Sequence, residues 1–263
     1  MISAMKRAAL ALVLAACSSS SNDFPPLPGG TSSGGTVGGG SGGTVGDAGV
    51  GDGSVSDGGV PITGQVCLVQ DLRTPTSKCD PTKAGGLTVT LGTVGASDAG
   101  TRTVVGTTTT GPDGKFTLVA PLGPGTWHVT GVAIATSVML YGTENIIPVI
   151  LAEQYLTLRE SNNMHAVDEL HGAALVRVVR GGSPVTGISA TVAPLADSET
   201  RYDSNNSSAD WNTAATQTGG IVWIPDAQLG AAHVALGATD GTTSTVDTTI
   251  ESQAITFVTR TIP

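Results

Sequence analysis

His165, Asp168 and His171, in the run His165-Ala166-Val167-Asp168-Glu169-Leu170-His171, come nearer than any other group in this chain to a metal-ligand motif. A catalytic zinc needs three fixed ligands and an open position, here a His-x-x-Glu pair with a distant histidine. Asp168 stands at the glutamate offset from His165, His171 is close by and His233 far along, so the expectation is a solvated polar connector and no metal. His128 and His233 recur at equivalent strand positions. Alternation against Trp127 and Val129, or against Ala232 and Val234, puts both histidines on an outer, exposed face. No Gly-x-Ser-x-Gly elbow between strand and helix and no phosphate-binding glycine loop appears. The expectation is a non-catalytic chain without a cofactor.

The stretch Arg201-Tyr202-Asp203-Ser204-Asn205-Asn206-Ser207-Ser208-Ala209-Asp210-Trp211-Asn212 is the other chemically loaded segment. Aromatic residues make up only 3% of the chain, so two of them in a very polar insertion suggest a stacking platform for a sugar or an anchor for a protein partner. Tyr202, Asp203, Asn205, Asp210 and Trp211 are the ligand-binding candidates. The competing reading makes Tyr202 and Trp211 core-edge residues that close the end of a sandwich. Asp203, Asn205 and Ser207 have calcium-loop spacing but lack the central glycine and closing glutamate of such a loop.

At the N-terminus, Lys6 and Arg7 precede an apolar run over residues 8–16, which ends in Leu14-Ala15-Ala16-Cys17. The run is far below the roughly 17 to 25 residues of a spanning helix, and its order of parts is that of an export signal. The box resembles the bacterial lipoprotein signal, in which the cysteine becomes the first mature residue and carries acyl chains. Several chains give stable anchoring where one gives only marginal binding. On this resemblance Cys17 is the lipidation site, the membrane is reached through the lipid, and Ser18, in place of a retaining aspartate, favours the outer membrane. Assigning Cys17 to lipid leaves Cys67 and Cys79 of the three cysteines, an even pair expected to form a disulfide in an oxidising compartment. Its short loop corresponds to about 3 kcal/mol or a little less. Two free thiols are the alternative.

Residues 18–59 are rich in glycine, serine and aspartate and almost free of bulky side chains. Such a segment cannot bury enough apolar surface to offset its ordering entropy. It is expected to be a flexible tether with an end-to-end distance of roughly 35 to 40 Å. Asp47, Asp52 and Asp57 in it lack the nonapeptide period of calcium-binding glycine repeats and read as solvated. Beyond the tether, threonine, valine and glycine dominate, as half-buried strands with tight turns require. Removing Lys6 and Arg7 with the signal shifts the formal net charge from −9 to about −11, which argues against nucleic acid, since phosphate binding needs clustered Lys and Arg.

Individual strands are legible. Thr110-Gly111-Pro112-Asp113-Gly114-Lys115-Phe116-Thr117-Leu118 contains a turn in which Pro112 presets φ and Gly114 can take positive φ, so the flanking strands can form a hairpin. Phe116, Leu118 and Ala120 alternate onto one face, and Trp127 and Val129 point inward from the strand after Pro121-Leu122-Gly123-Pro124-Gly125. Residues 62–66 and 86–91 make two more alternating strands. In this order the motifs resemble the carboxypeptidase-regulatory-like, or transthyretin-like, β-sandwich domains of bacterial surface proteins. The departures are an extended glycine turn and Trp127 at a tyrosine position. The resemblance implies a seven-stranded Greek-key sandwich and carries no zinc site.

The motifs recur. Residues 187–192 echo 86–91, residues 218–224 echo the strand around Phe116, and Ala232-His233-Val234 matches Trp127-His128-Val129, at an offset of about 100 to 108 residues. A first strand at 173–179 and a last one at 254–261 complete the second copy. Between the copies, over residues 148–162, Leu151, Tyr155 and Leu158 fall on one helical face and Glu153, Arg159 and Glu160 elsewhere, which predicts a short helix. The fold expected is all-β: two tandem Greek-key, Ig-like or prealbumin-like β-sandwiches with a short connecting helix after a disordered Gly-rich tether. The divisions are a signal at 1–16, the lipidated linker at 17–59, sandwiches at 60–133 and 171–263, and a connector at 134–170. The function expected is a non-catalytic envelope lipoprotein presenting these domains for envelope structure, adhesion or recognition of a protein or glycan. An accessory subunit of an export or uptake complex is the alternative, and a hydrolase the remotest.

Overall fold

The computed structural model of the chain describes residues 59–75, 78–94, 102–120, 123–142, 145–164, 166–205 and 210–263. Cys17, the signal segment, His165 and the tether up to residue 58 lie outside the described residues. Alternation of threonine with valine, leucine or isoleucine gives strands with one face for a core. The first half holds β1 (Val60–Val69), β2 (Cys79–Asp80), β3 (Thr88–Val94), β4 (Arg102–Thr109), β5 (Lys115–Ala120), β6 (Thr126–Thr130), β7 (Thr136–Leu140) and β8 (Ile146–Val149). The helix α1 (Ala152–Ser161) follows. The second half holds β9 (His171–Arg180), β10 (Ser183–Pro184), β11 (Ile188–Ala193), β12 (Arg201–Asp203), β13 (Trp211–Asn212), β14 (Ile221–Gln228), β15 (Gly230–Ala238), β16 (Thr243–Ile250) and β17 (Ala254–Thr261). The chain is an all-β sandwich protein with one short α-helix among the described residues.

The two halves repeat one topology. In the first, β1 pairs antiparallel with β5 and parallel with β8, while β6 joins β3 to β7. In the second, β9 pairs antiparallel with β14 and parallel with β17, while β15 joins β11 to β16. The sequence echoes fall on these equivalent strands: β3 with β11, β5 with β14, β6 with β15.

The halves are fused through a shared sheet. β17 lies parallel to β9, from Ile255 opposite Ala173 to Thr261 opposite Val179, and also parallel to β7, from Ala254 opposite Thr136 to Phe257 opposite Met139. One sheet of each half thereby becomes a ten-stranded sheet of order β13-β12-β14-β9-β17-β7-β6-β3-β4, with β10 beside β9. Residues of β9 alternate between two cores. Ala173 and Leu175 join the core of Phe116 and Trp127, whereas Ala174, Val176 and Val178 join that of Val234 and Leu236. The sheet of β2-β1-β5 with β8 therefore covers one face, and the three strands β11-β15-β16 cover the other. Burial on both faces explains why β9 and β14 read as near-continuous apolar runs, each large side chain contributing roughly 1.5–3 kcal/mol.

One local expectation is corrected. The turn at residues 110–114 is an arch between sheets: β4 belongs to the ten-stranded sheet and β5 pairs with β1. Gly114 does take positive φ, at +71°, and a Cβ there would press into the Val66 carbonyl oxygen, because the turn docks on β1 through a 2.8 Å bond from the Val66 N–H to the Gly114 carbonyl. Turn chemistry fixes the reversal and leaves open which sheet each arm joins. The expected short helix forms within 148–162, at Ala152–Ser161, and Pro148 and Val149 before it are strand residues paired with Cys67 and Leu68. Proline is tolerated in so short a strand and favours an extended residue before it. Tyr155 and Leu158 face the first core as expected, while Leu151 is largely exposed.

Candidate ligand-binding cleft

Tyr202 and Asp203 lie inside the protein and frame the loop around them. The Tyr202 hydroxyl accepts from the Ala190 N–H at 2.9 Å and donates to the Ala190 carbonyl at 3.3 Å. The buried Asp203 carboxylate accepts three backbone N–H groups, from Gln217 at 3.1 Å, Gly219 at 2.7 Å and Ile221 at 2.8 Å. Trp211 is 7% exposed and meets Trp223 edge to face, with ring centroids 5.0 Å apart. Its ring is part of the first core and not an exposed stacking platform. Asn205 is exposed and tied to Gln217 and Thr218 by its amide. Of the five candidates, Asp210 and Trp211 line a common cleft; Tyr202, Asp203 and Asn205 do not.

The disulfide loop buttresses this region from the first half. Cys67 and Cys79 are bonded, 12 residues apart. Within their loop, Arg73 grips Asp71 through Nε at 3.0 Å and Nη2 at 2.8 Å, and donates from Nη1 to the Ser204 carbonyl at 2.7 Å. Burial pushes the Asp71 carboxyl up, but the hydrogen bonds from Arg73 outweigh it and hold the group below the usual carboxylate range. The same bond raises Arg73. Gly219 is required where it stands, because a Cβ would press into the Arg73 carbonyl oxygen.

Between the end of α1 and the β12–β13 hairpin lies a cleft of about 520 Å³ whose walls include Ser161, Asn163, Arg201, Asp210 and Trp211. Asn163 has φ +60°, a left-handed position that asparagine tolerates and that ends the helix. Two buried donors on these walls, Arg201 Nε and Trp211 Nε1, have no hydrogen-bond partner. The helix is held to β14 from within. Arg159, 1% exposed, donates to Asp226 on β14 at 2.5 Å, and the Ser198 hydroxyl donates to the other Asp226 oxygen. Helical periodicity set Arg159 off the apolar face, yet a carboxylate partner from another element allows its burial.

The described histidines are paired with carboxylates. His171 donates from Nδ1 to Asp168 at 2.6 Å and from Nε2 to Asp197 at 2.9 Å. The bond to Asp168 chiefly holds its pKa above the ordinary histidine value. Both ring nitrogens are thus held by carboxylates, and among the described residues no group of three His, Cys, Asp or Glu is placed to hold a metal. His233 is exposed and pairs across β15–β16 with Asp247 at 2.6 Å. His128 departs from expectation, being 4% exposed with Nε2 3.0 Å from Glu251. The cause is β17, whose insertion brings the turn before it over the outer face of β6.

No family model matches the chain, nor does any curated protein sequence. Among solved structures it is similar to the shaft pilin SpaA from Lactobacillus rhamnosus GG, with TM-score 0.25 and 9% identity over 78% of this chain and 98% of that one. A variant of BcpA, the major pilin subunit of Bacillus cereus, gives TM-score 0.22 and 11% identity over 77% and 70%. The Bacillus anthracis TIE protein gives TM-score 0.23 and 10% identity over 79% and 41%. Similarity this loose transfers neither a site nor an activity.

Proposed function

We propose that this chain is a non-catalytic lipoprotein of the cell envelope, anchored through Cys17 to the outer membrane, which presents its double sandwich for envelope structure, adhesion or recognition of a protein or glycan. The two halves are read as carboxypeptidase-regulatory-like copies, on the motif order quoted above. The observation that carries the reading is the ten-stranded sheet spanning both halves, which makes a rigid body suited to presenting a surface. The Leu14-Ala15-Ala16-Cys17 box supplies the anchor and residues 17–59 the reach. A formal net charge of −9 on the full chain favours neither nucleic acid nor an anionic membrane surface as partner.

The test is metabolic labelling with an alkyne fatty acid, followed by detergent phase partition and intact mass. Wild type is expected to label, enter the detergent phase and carry the mass of its acyl chains, and Cys17→Ser to lose all three. A wild-type chain that stays aqueous with no acyl mass removes the anchor and with it this reading.

A further inference from the structure

We infer that Leu170, Leu195 and Leu229 form a docking surface for a protein that offers an apolar hollow bordered by lysine or arginine, an inference that rests on reading the chain as a recognition module. Leu170 and Leu195 are 71% and 76% exposed, and Leu229 41%. Strand register brings the three together. His171 lies opposite Gln228 at the end of the β9–β14 ladder, so Leu170 and Leu229 take the next opposed positions just beyond it. Leu195 comes two residues before Asp197, whose carboxylate meets His171 Nε2 at 2.9 Å and whose N–H donates to the Asp226 carbonyl at 3.0 Å. Single exposed leucines are ordinary, whereas a group of them marks an interaction site. The backbone beneath is fixed: the Leu170 N–H donates to Asp168 Oδ1 at 2.8 Å, the Ser252 hydroxyl to the Glu169 carbonyl at 2.8 Å, and the Gln253 N–H to the His171 carbonyl at 2.9 Å. That reduces the ordering cost of binding.

Charge selects the occupant. Within four residues of any of these leucines the sequence has no lysine or arginine, while Asp168, Glu169 and Asp197 are exposed around them. These carboxylates outweigh the single imidazole of His171 even when it is protonated, so the complementary surface is basic around an apolar centre. A second copy docking through the same patch would oppose like charges. An anionic membrane is repelled, and insertion into any bilayer would carry carboxylates beside the leucines into an apolar medium. Strand direction agrees with an outside partner. β7, β17 and β9 are parallel and start at the leucine end. Leu151, soon after β8, bridges antiparallel to Ile134, just before β7, with Ile150 and Ala152 bonded to Ala135 and Ala133, so β8 runs toward that end. β1 is parallel to β8, and Val60, where the tether joins, therefore starts at the far end.

The test places a photoreactive phenylalanine at Leu195 of the full-length chain in the cells that make it, with Val119, 64% exposed on β5, as the control position. Illumination is expected to give a protein adduct from position 195 and none from 119. Mass spectrometry of the crosslinked peptide is expected to find lysine or arginine beside apolar residues. Leu170→Ser combined with Leu229→Ser should lower the adduct by about tenfold or more, with the unchanged melting of surface substitutions. Glu169→Lys, which reverses a rim charge, should lower it too, and decides alone if the serine pair melts early. No adduct, equal adducts from both positions, an acidic partner peptide, or an adduct that survives these changes overturns the inference. So does crosslinking to lipid or to another copy of this chain. The lipid-labelling test reads Cys17 by itself, so failure of the patch and failure of the anchor are distinguishable.

Discussion

Arg73 and Ser204 are 131 residues apart in sequence, yet the Arg73 guanidinium donates to the Ser204 carbonyl at 2.7 Å. The disulfide loop of the first half thus holds the hairpin that forms one wall of the cleft in the second.

That bond predicts a remote effect of the disulfide. Replacing Cys67 and Cys79 together by serine should lower stability by about 2–3 kcal/mol, the value for a loop of this length. It should also speed amide exchange at residues 201–205. Exchange that quickens only inside the 67–79 loop would show that the hairpin stands without it.

Asp226 balances a guanidinium that is almost wholly buried. Asp226→Asn keeps a side chain suited to the local φ of +48° while removing the charge opposite Arg159, so a loss of about 3–5 kcal/mol is expected from the stranded cation. Adding Arg159→Met should recover much of it. Denaturant melts of the single and double variants check this, and additive losses would contradict the coupling.

Trp211→Ala should cost about 3–5 kcal/mol, as removal of a buried aromatic does. A melt within about 1 kcal/mol of wild type, as surface changes give, would place the ring outside the core.

His171 gives a pH dependence of definite sign. Its folded pKa is raised above the ordinary 6.5, chiefly by Asp168 with Asp197 adding to it, so the clamp contributes fully below about pH 6.5 and is lost as pH rises through the folded value. Because the two carboxylates are largely exposed, the effect is small. The carbon-bound imidazole protons, followed by NMR, should titrate above 6.5, and His171→Ala should flatten the stability profile there. Titration at or below 6.5 would show that neither carboxylate holds the ring.

Much of the fold was legible because burial leaves a periodic trace. Phe116, Leu118 and Ala120 alternate inward as their spacing predicts, the repeat marks equivalent strands, and β17 occupies the 254–261 stretch expected for the last strand. What escaped depends on contacts between distant segments. His128 has the alternation of an exposed residue and is covered by Glu251, 123 positions on. The arch at Gly114 uses the same residues as a hairpin. In the cleft, Asp210 and Trp211 were visible as an aromatic and an acid in a polar run, whereas Arg201 and Asn163 carried no signal. Their juxtaposition exists only once α1 has packed against β14.

The seam also sets an order on folding. β17 follows every other strand in the chain yet lies in the interior of the ten-stranded sheet, between β7 and β9. During synthesis the backbone of β7 from Thr136 to Met139 therefore waits as an open edge while more than a hundred residues are still to be added. An unpaired edge is a template for wrong partners, and a product cut short before Ala254 would keep it permanently. Pairing of β17 with β7 and β9 is what closes the sheet and removes that edge.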